Sequence, residues 1–168
     1  MSTIDQPLYC SVIETPLGKI FATATDEAVT GLYFEGQKHF PDKLPAHTGP
    51  NPVLRQLDHE ISEYFGGTRC EFTVQLAPSG TDFQQRVWAL LLQIPSGATT
   101  SYGDLAQQMQ CPSATRAVAN AVGRNPISIV IPCHRIIGKD GSLTGYAGGI
   151  ERKAALLHLE TPLEVPPT

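Results

Sequence analysis

The sequence has little of what builds several common protein classes. It has no apolar run as long as the roughly eighteen residues that a membrane-crossing helix needs. Met1 to Leu8 lacks the basic-then-apolar order of a secretory leader. A cytoplasmic protein without membrane association is expected. Four cysteines, Cys10, Cys70, Cys111 and Cys133, occur without CxxC spacing and without finger-type His doublets. They are expected as reduced thiols and not as disulfides or metal ligands, so neither a metal nor a cofactor is called for. Positive charge is also scarce, with twelve Lys and Arg against sixteen Asp and Glu for a net charge of −4. That balance excludes a protein that coats a polyanion by bulk electrostatics. No internal repeat is visible.

What is present is unevenly distributed. Residues 1–80 hold five Lys and Arg against ten Asp and Glu, whereas residues 82–153 hold seven against four, leaving the second stretch at +3. A polyanionic partner would therefore meet the C-terminal half. With 168 residues the chain suffices for one ordinary domain or two small ones, and Ala77-Pro78-Ser79-Gly80 reads as the joint between two.

Before that joint, Tyr9 to Glu14, Lys19 to Thr25 and Val29 to Phe34 are short β-prone runs separated by turn residues, the first pair joined by Thr15-Pro16-Leu17-Gly18. They predict a small antiparallel sheet. Val53, Leu54, Leu57, Ile61 and Phe65 mark a helix closed by Gly66-Gly67, and Phe72 to Leu76 reads as a further strand.

After the joint, Thr81 with Gln84 forms a capping box, followed by Phe83, Val87, Leu90, Leu91 and Ile94 at helical spacing until Pro95 and Gly97. Ser101 with Asp104 opens a shorter helix through Met109. Cys111-Pro112-Ser113 then turns into a third, from Ala114 to about Val122, and the pair has the outline of a helix-turn-helix. Ala114, Ala117, Ala119 and Ala121 surround Arg116 on that third helix. Such small side chains suit close approach to another surface, which both a recognition helix and tight helix packing require. Ile127 to Ile131 has a buried-strand pattern, Gly145-Tyr146-Ala147-Gly148-Gly149 is a flexible loop, and a last helix runs from about Ile150 to Glu160 with Leu156 and Leu159 inward. The fold class is α+β, a small sheet-and-helix domain followed by a mostly helical one.

The chemistry concentrates at Pro132-Cys133-His134-Arg135. A thiol after a buried strand, beside a His and an Arg, is placed for its pKa to fall from about 8.5 toward neutrality, which makes Cys133 a nucleophile candidate. The alternative is an inert, packed cysteine. On extended backbone, neighbouring side chains point to opposite sides, so Cys133 and His134 should not touch. A water-bridged relay is easier to build, with His134 as base and Glu160 behind it fixing the tautomer.

This region resembles the O6-alkylguanine-DNA alkyltransferases. The resemblance rests on Arg124-Asn125-Pro126 before Ile127-Ser128-Ile129-Val130-Ile131 and Pro132-Cys133-His134-Arg135, on Phe83-Gln84-Gln85-Arg86-Val87-Trp88, Ile94-Pro95-Ser96-Gly97 and Ser101-Tyr102-Gly103, and on Ala117-Val118-Ala119 and Thr144-Gly145-Tyr146-Ala147-Gly148-Gly149. It covers residues 81 to 160 nearly continuously and is thin in the N-terminal third. The stand-alone bacterial type is implied, with a ribonuclease-H-like domain over 1–78, a DNA-binding and alkyltransferase domain of winged-helix-like arrangement over 81–162, and a tail over 163–168.

The same resemblance implies direct-reversal DNA repair, in which an alkyl group moves irreversibly from O6-alkylguanine, and from O4-alkylthymine, to Cys133. It implies His134 as base through water, Glu160 as its orienting partner, Asn125 as brace of the active-site turn and Tyr102 as donor to the guanine N3. Main-chain groups of Cys133, Ile136 and Ala147 would line the base pocket, the carbonyls of the first two reading the exocyclic amine, with Tyr146 also at the substrate. Arg116 would replace the flipped nucleotide in the stack, with Ala117, Ala119, Arg124 and Arg135 on the DNA-contacting surface. The partner implied is double-stranded DNA met through the minor groove, and the protein is expected as a monomer. The zinc-binding Cys and His set of some relatives is missing around Thr15-Pro16-Leu17-Gly18. Thr144 and Ser128 are expected at the pocket. Three rivals use part of the same pattern. A cysteine hydrolase would need an oxyanion hole and a released product, a non-catalytic alkylated-DNA sensor would lack a cysteine at position 133, and a helix-turn-helix regulator would read the major groove.

Overall fold

The computed structural model describes residues 7–46 and 48–161. The tail over 163–168, Pro162 and most of the stretch read for a leader lie outside the described residues. A two-residue turn at Pro16 and Leu17 starts the fold. Thr15 Oγ1 accepts from Leu17 N at 3.1 Å and donates to Gly18 O at 2.6 Å, while Gly18 takes φ +110°, which a side chain would resist. The turn sets the antiparallel register of β1 (Tyr9–Thr15) and β2 (Gly18–Ala24), and β3 (Val29–Phe34) completes a sheet of order β1-β2-β3.

Ile13, Ile20, Ala22, Ala24, Leu32 and Phe34 are buried, and helix α1 (Pro52–Phe65) packs on this sheet with Leu54, Leu57, Ile61 and Tyr64 buried. Asn51 caps α1 by accepting from Leu54 N at 2.9 Å and ties it to the sheet by donating to Thr25 O at 3.0 Å.

Phe72 to Leu76 does not form the expected strand. Glu60 takes its main-chain donors, Thr73 N at 2.9 Å and Val74 N at 3.3 Å, so only a parallel bridge from Leu76 to Val29 remains. A buried carboxylate has replaced a neighbouring strand as hydrogen-bond partner.

Beyond the joint, the capping box opens α2 (Asp82–Leu91): Gln84 N donates to Thr81 Oγ1 at 3.1 Å and Thr81 N to Gln84 Oε1 at 3.0 Å. A two-residue strand β4 (Thr100–Ser101) leads into α3 (Tyr102–Gln108). Ser101 caps it from one side only, accepting from Asp104 N at 3.1 Å. A 3-10 turn at Pro112–Ala114 delivers the chain to α4 (Thr115–Gly123), completing the helix-turn-helix. Trp88 of α2 is buried against α4, its indole N–H donating to Ala121 O at 2.8 Å. A short parallel ladder joins β4 to β5 (Ile136–Ile137), and α5 (Ile150–Glu160) closes the chain.

Ile127 to Ile131 is buried but is a coiled turn, not a strand. Leu32 of β3 donates to Pro126 O and accepts from Ser128 N, after which Ile129 takes φ +73°. A β-branched residue in the left-handed region costs on the order of 1–3 kcal/mol, so its surroundings must impose it. One apolar core runs from the sheet through this turn to Leu156 of α5. Among the described residues, no helix is long and apolar enough to cross a membrane.

Candidate active site

Asn125 imposes that turn. Buried after α4, it accepts from Ile127 N at 2.9 Å and donates through Nδ2 to Ile131 O at 2.8 Å and to Cys133 Sγ at 3.2 Å. One amide therefore holds both ends of the turn and the sulfur after it. Cys133–Arg135 then forms a 3-10 turn, not the extended segment expected. His134 is still led away from the sulfur: its Nε2 is bonded to Glu160 Oε2 at 2.7 Å, and its buried Nδ1 has no partner among the described residues.

Glu160, at the end of α5 with a side chain only 2% exposed, gathers four hydrogen bonds. Arg135 grips it as a fork, Nε to Oε1 at 2.8 Å and Nη2 to Oε2 at 2.9 Å, and Tyr64 of α1 donates to Oε2 at 2.6 Å. Burial alone would raise its pKa, but the bonds from His134 and Arg135 outweigh it and hold the carboxyl at about 2. His134 is shifted down, first by burial and against the pull of Glu160, so it rests neutral. Glu160 therefore accepts from Nε2–H and the basic lone pair is on Nδ1.

Cys133 is driven the opposite way from the sequence expectation. Burial raises the thiol to about 11, opposed by the Asn125 hydrogen bond and by the charge of Lys153. Removal from water outweighs both, so the resting sulfur is a protonated thiol. Lys153 of α5 escaped sequence reading. It is wholly buried and donates to Thr144 O at 2.7 Å, its own pKa lowered by burial. A lysine on the inward face of a short amphipathic helix was the available signal.

Cys133 opens onto a cavity of about 590 Å³. Tyr102, Arg116, Ala119, Arg124, Asn125, Tyr146 and Ala147 share its wall, together with Lys38 and His39 from the loop after β3, which sequence reading did not single out. Tyr102 stands at the start of α3, its hydroxyl 3.5 Å from Thr144 O and its pKa raised, mainly by burial. The glycine loop presses close: a side chain at Gly148 would meet the Tyr146 ring at 2.8 Å and the Phe34 ring at 2.9 Å. Arg152 pins this loop to the sheet, donating to Leu17 O at 3.1 Å and Gly148 O at 3.2 Å, with its guanidinium 4.6 Å from the Phe34 ring centre.

Several expected placements do not fit. Arg135 is not on a DNA-facing surface: it is 6% exposed and committed to Glu160 and Ile94 O, because a buried carboxylate needs a buried cation. Ile136 is wholly buried and absent from the cavity wall, its backbone paired with Thr100 in the β4–β5 ladder. Ser128 is sealed beneath the turn, donating to Gln37 Oε1 at 3.4 Å. By contrast, Arg116 at the cavity rim and Ala117 outside the cavity are both exposed on α4, which leaves the expected DNA contact open to both. Among the described residues, no cluster of three or more His, Cys, Asp or Glu could hold a metal ion.

Comparison with known proteins gives a consistent set of likenesses. The family model described as the DNA-binding domain of 6-O-methylguanine DNA methyltransferase matches residues 82–162, and that described as its ribonuclease-like domain matches residues 8–78. The methylated-DNA–protein-cysteine methyltransferase of Mycobacterium tuberculosis is 45% identical over 153 residues, covering 91% of this chain and 92% of its own. That of Haemophilus influenzae is 41% identical over 154 residues, covering 91% and 86%. Among solved structures, Mycobacterium tuberculosis OGT in complex with DNA superposes with a TM-score of 0.83 at 42% identity, covering 92% of this chain and 96% of that one.

Proposed function

Because the chain belongs to the 6-O-methylguanine DNA methyltransferase family, we propose that it repairs alkylated DNA by moving the alkyl group from O6-alkylguanine, and from O4-alkylthymine, onto Cys133. DNA repair by alkyl transfer to cysteine is the activity of its relatives, and DNA is the partner. The observation that carries the assignment of residues is a cysteine on the wall of a cavity, with a neutral His134 and an ionised Glu160 packed behind it.

The target oxygen is inaccessible within a duplex, so the nucleotide must leave the stack. Arg116, exposed at the cavity rim on α4, fills the gap it leaves, with Ala119 and Arg124 beside it, and α4 approaches through the minor groove. The extruded base enters between Tyr102, Tyr146 and the loop at Ala147. The thiol gives its proton through a water to His134 Nδ1, and Glu160 stabilises the resulting imidazolium through Nε2–H. Asn125 and Lys153 stabilise the thiolate.

The sulfur then attacks the alkyl carbon, a C–S bond forms and the C–O bond breaks with its electron pair passing to O6. Tyr102 donates its phenolic proton to N3 of the departing guanine, and the proton held on His134 returns through water to the Tyr102 phenolate, so both side chains end in their starting forms. The product is a thioether with no carbonyl for water to attack, and each protein acts once. It acts as a cytoplasmic monomer.

Intact-mass analysis tests the reading. With a duplex carrying O6-methylguanine, the wild-type chain gains one methylene mass located on Cys133, and Cys133→Ser gains none. A methyl group on another residue, or repeated product release without modification, overturns it.

A further inference from the structure

Tyr64 has no part in the relay just described, yet it reaches that relay from the other layer of the fold. It lies on α1, 96 positions from Glu160 in sequence, and its hydroxyl donates to Glu160 Oε2 at 2.6 Å. The same oxygen takes His134 Nε2 at 2.7 Å and Arg135 Nη2 at 2.9 Å. Three donors on one carboxylate oxygen compete for its charge. We propose that Tyr64 is a positioning residue that sets the basicity of the His134–Glu160 pair, by withdrawing from Glu160 part of the charge that would otherwise hold a proton on His134. The inference rests on the relay reading and specifies what tunes it.

The surroundings favour a tuning role over a packing one. The Tyr64 ring is held independently of its hydroxyl, 5.3 Å from the Phe65 ring and 5.5 Å from the Phe72 ring, with the residue 2% exposed. Burial and the facing Glu160 hold its phenol far above the usual range, so it is a permanent donor and never a competing base. The other charged groups that act on the pair are Arg135 on the 3-10 turn and Lys153 of α5. Arg69 and His158 line the cleft behind Glu160. Arg135 fixes the carboxylate in place as a fork; Tyr64 adds no charge and alters only how strongly Oε2 serves His134.

Tyr64→Phe keeps the ring and removes one oxygen. A single buried hydrogen bond is expected to move the His134 ionisation upward by roughly half to one pH unit. Single-turnover methyl transfer from an O6-methylguanine duplex should show its acid limb displaced upward by that amount, and NMR titration of the His134 ring nitrogens should show the same displacement without reference to activity. Fluorotyrosine at position 64, a stronger donor, should move both downward. An unmoved limb and an unmoved His134 titration in Tyr64→Phe overturn the proposal, and if that variant does not fold, an unmoved titration with fluorotyrosine does so. A wild-type acid limb that survives His134→Gln refutes the relay instead, while the NMR titration still decides the coupling.

Discussion

Replacing Asn125 with alanine separates the physics of the turn from that of the sulfur. Asn125 satisfies two buried main-chain groups, Ile127 N–H and Ile131 C=O, and donates to Cys133 Sγ. In Asn125→Ala both main-chain groups lose their side-chain partner away from water. Ile131 O keeps its hydrogen bond from Cys133 N at 2.8 Å, so Ile127 N–H is the group left unpaired, and at about 1–3 kcal/mol for a buried unpaired group the expected loss is near 2 kcal/mol. A chain of this size loses about 2–4 °C of melting midpoint per kcal/mol, so a fall of about 4–8 °C is expected. The bond to sulfur is one of the influences that hold the thiol down to about 11. Its loss moves the Cys133 ionisation higher still. Thermal unfolding measures the first effect; alkylation by a small neutral electrophile across the alkaline range, mapped to Cys133 by peptide mass, measures the second. A melting midpoint within about 2 °C of wild type, together with an unmoved Cys133 titration, would show that the left-handed Ile129 is imposed by something other than this amide.

Three further outcomes follow from the same geometry. Arg116→Ala should slow transfer from duplex DNA far more than transfer from a free O6-alkylguanine base, since the role proposed for the arginine is to fill a stack; equal loss on both substrates contradicts that role. Lys153→Met removes a buried positive charge that favours the thiolate, and transfer at neutral pH should fall roughly tenfold, the equivalent of one unit in the Cys133 ionisation. Glu160 has its pKa lowered from 4.5 to about 2 in the folded chain, so its contribution to stability is complete above 4.5 and is lost as pH falls toward 2. Stability measured by denaturant should decline over that window in the wild type and decline less in Glu160→Gln.

Local chemistry made the capped helices legible. Thr81 with Gln84 and Ser101 before Asp104 are contacts three residues apart, written in neighbouring letters. Ile127 to Ile131 was not legible because an apolar run of five satisfies a buried strand and a buried turn equally. The deciding residue, Asn125, acts through a hydrogen bond to Ile131 O that no periodicity records. Arg135 was misplaced for a related reason. A basic residue beside a nucleophile in a DNA-repair motif suggests a phosphate contact, but its partner Glu160 lies 25 positions away, brought in by α5. Tyr64 is the extreme case: its helix was recognised from Leu54, Leu57 and Ile61, yet its hydroxyl matters only once the two layers of the fold are apposed.

If each protein acts once, as proposed, the placement of the thiol keeps it from being spent on the wrong target. With its pKa raised by burial to about 11, the resting Cys133 is a protonated thiol at neutral pH, and adventitious electrophiles meet a thiol, a poor nucleophile. A conventional active-site cysteine is activated in advance by a cation at contact distance. Here Arg135 is turned away onto Glu160, and Lys153 donates to Thr144 O. In the proposed mechanism, activation coincides with occupancy of the cavity, when proton transfer to His134 is coupled to attack and Tyr102 donates to the leaving base. On that mechanism selectivity comes from requiring the alkyl carbon, the base relay and the Tyr102 proton donor to align in one cavity, with no dependence on a sulfur that is reactive by itself.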